Sequence, residues 1–133
     1  MSEDREDRGE GIRKSITSVD DLDVFRKSYR LSLEVHRATL TFPDIEQRAL
    51  ADQIRRASKS IPANLAEGFA KHFVSTAEFK RYVMIALGST EEMRVWVRYC
   101  LDLGYVNDAV ARRWLDGYQE IARMLVGLYR SWR

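Results

Sequence analysis

The sequence predicts an all-α protein, an up-down-up-down antiparallel four-helix bundle with a kinked second helix. Three observations carry this. Apolar residues recur at spacings of three and four in four successive stretches. No stretch alternates apolar and polar with a period of two, and only 2 prolines occur among 133 residues. The stretches are joined by short connections, which make sequential helices antiparallel neighbours.

The first helix is expected over residues 21–40, with Phe25, Tyr29, Leu33, His36 and Leu40 on its inward face. Thr41-Phe42-Pro43 ends it. Pro43 then suits the first position of a second helix, residues 43–71, because the amide it lacks would be unpaired there anyway. Leu50, Ile54, Ala57, Ile61, Leu65 and Gly68 form the inward stripe of that helix. Pro62 stands in its middle, where it removes a backbone hydrogen bond and clashes with the preceding turn, at about 3 kcal/mol. Polar Ser58, Ser60, Asn64 and Glu67 lie within a turn of it.

Ser75-Thr76-Ala77-Glu78 reads as a capping box opening a third helix over residues 76–103. Phe79, Val83, Ala86, Thr90, Met93, Val97 and Cys100 give it an unbroken apolar stripe, and Gly104 stands where a C-terminal cap prefers glycine. Asn107 or Asp108 caps the fourth helix, residues 108–131, whose stripe is Val110, Trp114, Ile121, Leu125, Leu128 and Trp132.

A chain of this length is expected to be one domain. The single cysteine cannot form an internal disulfide, no run approaches the roughly 18 apolar residues of a membrane span, and the charged N-terminus is not a secretory signal. A soluble, cytoplasmic protein is expected. Charge is unevenly spread: residues 1–21 hold seven acids and four bases, whereas the remaining 112 hold 18 bases and 13 acids. Residues 1–20 are expected to be a disordered charged leader and residues 21–133 the bundle. The basic body suits contact with a polyanion.

Basic residues fall in rows. Arg48, Arg55 and Lys59 align on the second helix with Arg56 beside them; Lys80, Arg94 and Arg98 align on the third; Arg26, Arg30 and Arg37 on the first. Arg48, Arg55, Arg56, Lys59, Arg94 and Arg98 are the candidate phosphate contacts. Each row also reads as a solvated face with local salt bridges, and for the second-helix row the two readings weigh evenly. Gln53, Arg56, Ser60, Asn64, Glu67 and Lys71 share one edge of the second helix. That edge is either a binding surface or a polar network. The network is preferred, with Gln53, Ser60, Asn64 and Glu67 satisfying carbonyls freed by Pro62 and anchoring the helix to its neighbour. Small Gly68, Gly88 and Ser89 fit close helix approach.

Catalysis and metal binding find no support. Glu34 precedes His36 by two residues and Glu67 precedes His72 by five, so neither pair matches the Glu-x-x-His of a di-iron bundle. His36 reads as a hydrogen-bonded core histidine and Cys100 as a buried small hydrophobe. Glu91 and Glu92 are adjacent and diverge by about 100° on a helix, so they form no catalytic pair. No nucleophile, base and orienting group recur together. No enzyme, cofactor or metal is expected.

Two helices carry a second apolar stripe: Tyr82, Ile85, Ser89, Trp96, Tyr99 and Leu103 on the third, and Ala111, Leu115, Tyr118, Ala122, Tyr129 and Trp132 on the fourth. Arcs wider than about 100° suggest contact with another subunit. The other reading keeps the aromatics at the edges of one core with polar tips in water.

The order of residues in the second and third helices adds a further indication. Phe42-Pro43-x-x-Glu46 is followed by Leu50-x-x-Gln53-Ile54-Arg55-Arg56-Ala57 and by Ser60 to Gly68. Glu78-Phe79-x-Arg81-Tyr82, Ile85-Ala86-x-Gly88-Ser89-x-Glu91-Glu92 and Leu103-Gly104-Tyr105 complete the series. Over about residues 22–130 this resembles the four-helix-bundle proteins encoded by intervening sequences in bacterial 23S ribosomal RNA genes. Their relatives are the accessory variability proteins of diversity-generating retroelements. The resemblance implies a homopentameric ring with a positively charged surface, binding nucleic acid, RNA being the usual proposal, and for the retroelement relatives also a reverse transcriptase. It supplies no catalytic residues. Two functions follow as expectations: a nucleic-acid-binding oligomer, or a protein-interaction scaffold such as a reverse-transcriptase accessory subunit.

Overall fold

The computed structural model describes residues 16–133. Four helices form the bundle: α1 (Asp23–Thr39), α2 (Leu50–Lys71), α3 (Thr76–Asp102) and α4 (Asp108–Ser131). Each packs on its sequence neighbour, and α1 closes the ring of four against α4. Cross-helix partners show that all the seams are antiparallel. On α1–α2, His36 meets Lys59 and Thr39 meets Arg55; on α2–α3, Ser60 meets Ser89 and Glu67 meets Tyr82. Lys27 meets Glu120 and Glu34 meets Arg113 on α1–α4, and Lys80 lies over Tyr129 on α3–α4.

The core follows the expected stripes on three helices. All seven stripe residues of α3 are buried, as are Ile54, Ala57, Ile61, Leu65 and Gly68 on α2 and Trp114, Ile121 and Leu125 on α4. Gly68 marks the closest approach: a Cβ there would lie 2.5 Å from Cβ of Tyr82, so only glycine lets α2 and α3 cross at this point. Gly88 serves no such role within the chain, since a Cβ there meets nothing within 4 Å.

Helix α1 is turned differently from the expectation. Its buried residues are Val24, Ser28, Ser32, Val35 and Thr39, while Tyr29 and Leu40 are 50% and 61% exposed. The hydroxyls of Ser28, Ser32 and Thr39 donate to the carbonyls of Phe25, Tyr29 and His36, so these polar groups are satisfied within the helix and can be buried. The apolar stripe from Phe25 to Leu33 is thereby displaced onto the flank that faces α2. His36 is correspondingly a seam residue rather than a core one.

Helix α2 begins at Leu50, not at Pro43. Pro43 instead leads into a short 3-10 turn, Asp44–Glu46, and the linker is held by side chains: Gln47 Nε2 donates to the carbonyls of Thr39 (2.8 Å) and Phe42 (3.0 Å). Past Pro62 the helix runs on to Lys71 without interruption.

Three of the expected caps have local causes. Ser75 Oγ accepts from the amide of Glu78 at 3.1 Å, Asn107 Oδ1 from that of Val110 at 2.9 Å, and Gly104 ends α3 with φ +78°. The capping box is only half made. The Ser75 amide is already taken by the carbonyl of Lys71, and the Glu78 carboxylate turns to Arg81 at 2.8 Å.

The expected leader, residues 1–20, falls outside the described residues up to position 15. From there the chain joins the bundle: Ile16 and Val19 pack against the core, and Ser18 caps a 3-10 turn, Val19–Asp21. The amides of Thr17 and Ser18 donate to the Asp21 carboxylate at 2.8 and 3.1 Å and hold its pKa below the ordinary value.

Candidate nucleic-acid interface

The six basic residues singled out in the sequence do not share one surface. Arg55 and Lys59 face α1 and Arg94 faces α4, and Arg48 is exposed in the turn before α2. Arg56 is exposed and pairs with Asp52 at 3.0 Å; Arg94 pairs with Glu91 at 3.1 Å. Arg98 is exposed on α3 and forms no ion pair with another described residue.

Arg55 is committed to the fold. Its Nε donates to Thr39 Oγ1 at 2.9 Å, and its guanidinium also donates to the Gln47 carbonyl at 3.3 Å and to the Gln47 side-chain oxygen. These partners are neutral, so Arg55 ties the linker to the end of α1 and still contributes a full positive charge. Beside it, Lys59 Nζ donates to Nδ1 of His36 at 2.9 Å. Burial and then the charges of Lys59, Arg55 and Arg37 hold the His36 pKa below its ordinary value, so the acceptor nitrogen is unprotonated near neutral pH. Among the described residues no acid forms an ion pair with Arg37, Arg55 or Lys59. The α1–α2 seam therefore carries three cations around a neutral histidine.

In the sequence Arg37 and His36 lie on a different helix from Arg55 and Lys59. The antiparallel register, with 36 opposite 59 and 39 opposite 55, brings them together. A second basic groove of about 620 Å³ runs between α3 and α4, where Arg123 and Arg130 join Arg94 above Ala122 and Gly127. In the sequence Arg123 and Arg130 stand on a helix whose clearest pattern is its apolar stripe, and only the packing of α4 on α3 brings them to Arg94.

The polar edge of α2 faces α3. Asn64 Nδ2 donates to the carbonyl and the hydroxyl oxygen of Ser60, both at 2.8 Å, and the Ser60 and Ser89 hydroxyls lie 2.9 Å apart. Glu67 accepts from Tyr82 at 3.1 Å, and Lys71 donates to the same phenol oxygen at 2.9 Å. The network thus anchors α2 to α3. It does not answer Pro62, because the carbonyl robbed of an amide is that of Ser58 and Asn64 serves that of Ser60. Gln53 is exposed and takes no part among the described residues.

The outward face of α3 mixes large apolar side chains with charged ones, Arg81, Glu91, Glu92, Arg98 and Asp102 being exposed along it. Met84, Ile85, Val95, Tyr99 and Leu103 are each 39–52% exposed around the open position of Gly88. On α4 half of the second stripe is absorbed: Ala111, Tyr118 and Trp132 are buried in the chain's own core, whereas Tyr129 is exposed. Cys100 is fully buried, and burial pushes its thiol pKa up to about 12, which makes it inert rather than nucleophilic. No helix of the described residues is long and apolar enough to cross a membrane.

No protein of curated function matches the chain significantly. Among solved structures, a protein of unknown function from the S23 ribosomal protein family of Bacteroides thetaiotaomicron superposes with a TM-score of 0.72. It is 23% identical, and the match covers 80% of this chain and 95% of that one, which supports the fold alone. The family model of the 23S rRNA-intervening sequence protein matches residues 20–127. That span takes in every helix up to the last turn of α4, and the chain belongs to the 23S rRNA-intervening sequence protein family.

Proposed function

We propose that this protein is a non-enzymatic, oligomeric binder of nucleic acid, RNA in particular, and that the α1–α2 seam is its principal contact. The observation that carries the reading is a row of cations along the seam, with Lys59 on His36 at 2.9 Å, Arg55 on Thr39 at 2.9 Å and exposed Arg37 between those two positions of α1, without an acidic partner among the described residues. Phosphate contact needs positive charge near the surface and little geometric precision, and a cluster of cations unneutralised by local acids supplies it.

Assembly into a ring, with five subunits as the family resemblance implies, rests on the exposed apolar side chains of α3. Five large apolar side chains on one helix, each more than a third exposed, are more than a soluble monomer commonly leaves in water. A ring would repeat the basic seam in every subunit and strengthen its field.

The test measures binding of RNA and DNA, single-stranded and duplex, at about 50 and 200 mM salt. Affinity is expected to fall steeply with salt, by a logarithmic slope of about −0.7 per phosphate contact on single strands. Arg37→Glu with Lys59→Glu, both exposed, is expected to weaken binding to every sequence alike and to flatten that slope. Unchanged binding by the folded double variant would remove the seam from the interface. Failure of the wild type to bind any nucleic acid would shift the reading to an acidic protein partner, such as a reverse transcriptase. Light scattering checks the ring, and Val95→Arg on α3 is expected to reduce the assembled mass with helicity intact.

A further inference from the structure

The groove between α1 and α2 continues from the basic seam and changes character along its length. Phe25, Tyr29 and Leu33 form one wall, Pro62 and Ala66 the other, and Lys59 stands at its edge; its volume is about 460 Å³. The groove exists because α1 is turned so that its hydroxyl stripe is buried and its aromatic stripe faces α2, where the opposing residues are small. Tyr29 is half exposed, and its ring lies nearly parallel to that of Phe25, 18° between planes with centroids 6.1 Å apart. The groove offers few hydrogen-bonding groups. The hydroxyl of Ser32, which also lines it, is spent on the carbonyl of Tyr29 at 2.6 Å.

Resting on the nucleic-acid reading above, we propose that this groove takes an unpaired base of a single-stranded segment, stacked on Tyr29, while Lys59 and Arg37 hold the flanking phosphates. A half-exposed aromatic face beside an unneutralised cation cluster is the combination that single-strand binders use. The Tyr29 hydroxyl and Lys59 are the polar groups left along the groove, so the contact discriminates more by stacking than by sequence. A duplex cannot use it, because its bases are already stacked and paired; it meets only the cations. The basic end argues for a polyanion over the other apolar occupant, a helix from a second copy.

The experiment compares the full-length wild type, Tyr29→Leu and Tyr29→Trp on an unstructured single-stranded RNA and on a duplex of equal length. Leucine keeps the groove apolar and removes the π face; tryptophan keeps and enlarges that face. Tyr29→Leu is expected to lose about tenfold in single-strand affinity, within the range for one stacked base, with duplex affinity changed less than about twofold. Tyr29→Trp is expected to retain or improve single-strand binding. Equal single-strand affinity of wild type and Tyr29→Leu would overturn the stacking site while leaving the basic seam standing. Equal losses on both substrates, or a change of oligomeric mass in Tyr29→Leu, would overturn it as well, the latter marking the groove as a subunit contact. Failure of Arg37→Glu with Lys59→Glu to weaken either substrate is the separate result that removes the seam.

Discussion

The phenol of Tyr105 donates to the carboxylate of Glu46 at 2.6 Å, across 59 residues of chain. Phe42 packs against the same ring, with centroids 5.1 Å apart. Two motifs that looked like separate signatures in the sequence, Phe42-Pro43-x-x-Glu46 and Leu103-Gly104-Tyr105, are therefore one structural lock. It fastens the α1–α2 linker to the end of α3, and the same linker is gripped from its other side by Arg55. The shape of the basic seam depends on both holds.

Tyr105→Phe keeps the ring packing and removes only the hydroxyl. A hydrogen bond to a carboxylate is among the stronger kinds, so urea unfolding is expected to show a lower midpoint for the variant. Wild-type stability in Tyr105→Phe would mean that packing against Phe42 alone holds the linker.

Two glycines of the family pattern separate by their surroundings. Gly68→Ala places a methyl group 2.5 Å from Tyr82 Cβ and is expected to destabilise by about 1–3 kcal/mol through forced separation of α2 and α3. Gly88→Ala meets no atom of its own chain and is expected to gain up to about 1 kcal/mol from helix propensity. A loss of assembled mass in Gly88→Ala would instead report the backbone of a neighbouring subunit against this point of α3.

Tyr118 is fully buried, and its hydroxyl has no hydrogen-bond partner among the described residues. Burial, and then the charge of Glu34, push its pKa up, so the phenol stays protonated. Tyr118→Phe removes an unsatisfied polar group without changing the packed ring. It is expected to raise stability by about 1 kcal/mol, read as a higher urea midpoint at unchanged slope. A clear loss would reveal a partner for the hydroxyl.

His36 makes stability depend on pH. Its folded pKa lies below the ordinary histidine value, from burial first and then from Lys59, Arg55 and Arg37. The unfolded chain therefore binds a proton that the folded one refuses. This contribution is absent above the ordinary histidine range near ~6.5 and grows as pH falls through it, so stability declines towards acid. His36→Gln is expected to flatten that decline in melts between about pH 7.5 and 5.5. Bound phosphates would relieve the cation field and draw the pKa back up, so nucleic-acid affinity is expected to rise as pH falls over the same window. A pH profile identical in wild type and His36→Gln would place the titrating group elsewhere.

Legibility in the sequence tracked how local the physics is. The stripe from Phe79 to Cys100 and the caps at Ser75, Asn107 and Gly104 are set within a few residues of chain, and each stands where the spacing put it. The missing return bond of Glu78 and the late start of α2 have causes just outside each helix: the Lys71 carbonyl takes the Ser75 amide, and Gln47 grips Thr39 and Phe42. The basic seam was half legible. Arg55 and Lys59 were in line on one helix, but their companions His36 and Arg37 belong to another helix and needed the antiparallel register.

Four helices, their order and three of their core faces are written in the sequence, because hydrophobic period and capping chemistry act along the chain. The rotation of α1 is set by packing between helices. Its apolar stripe and its small-hydroxyl stripe are neighbours on the helix surface, and spacing cannot say which one turns inward. Hydroxyls that bond one turn back can be buried at little cost, so Ser28, Ser32 and Thr39 went into the core. That rotation left Phe25, Tyr29 and Leu33 on the seam with α2, beside Lys59, and so placed an aromatic groove next to the cations.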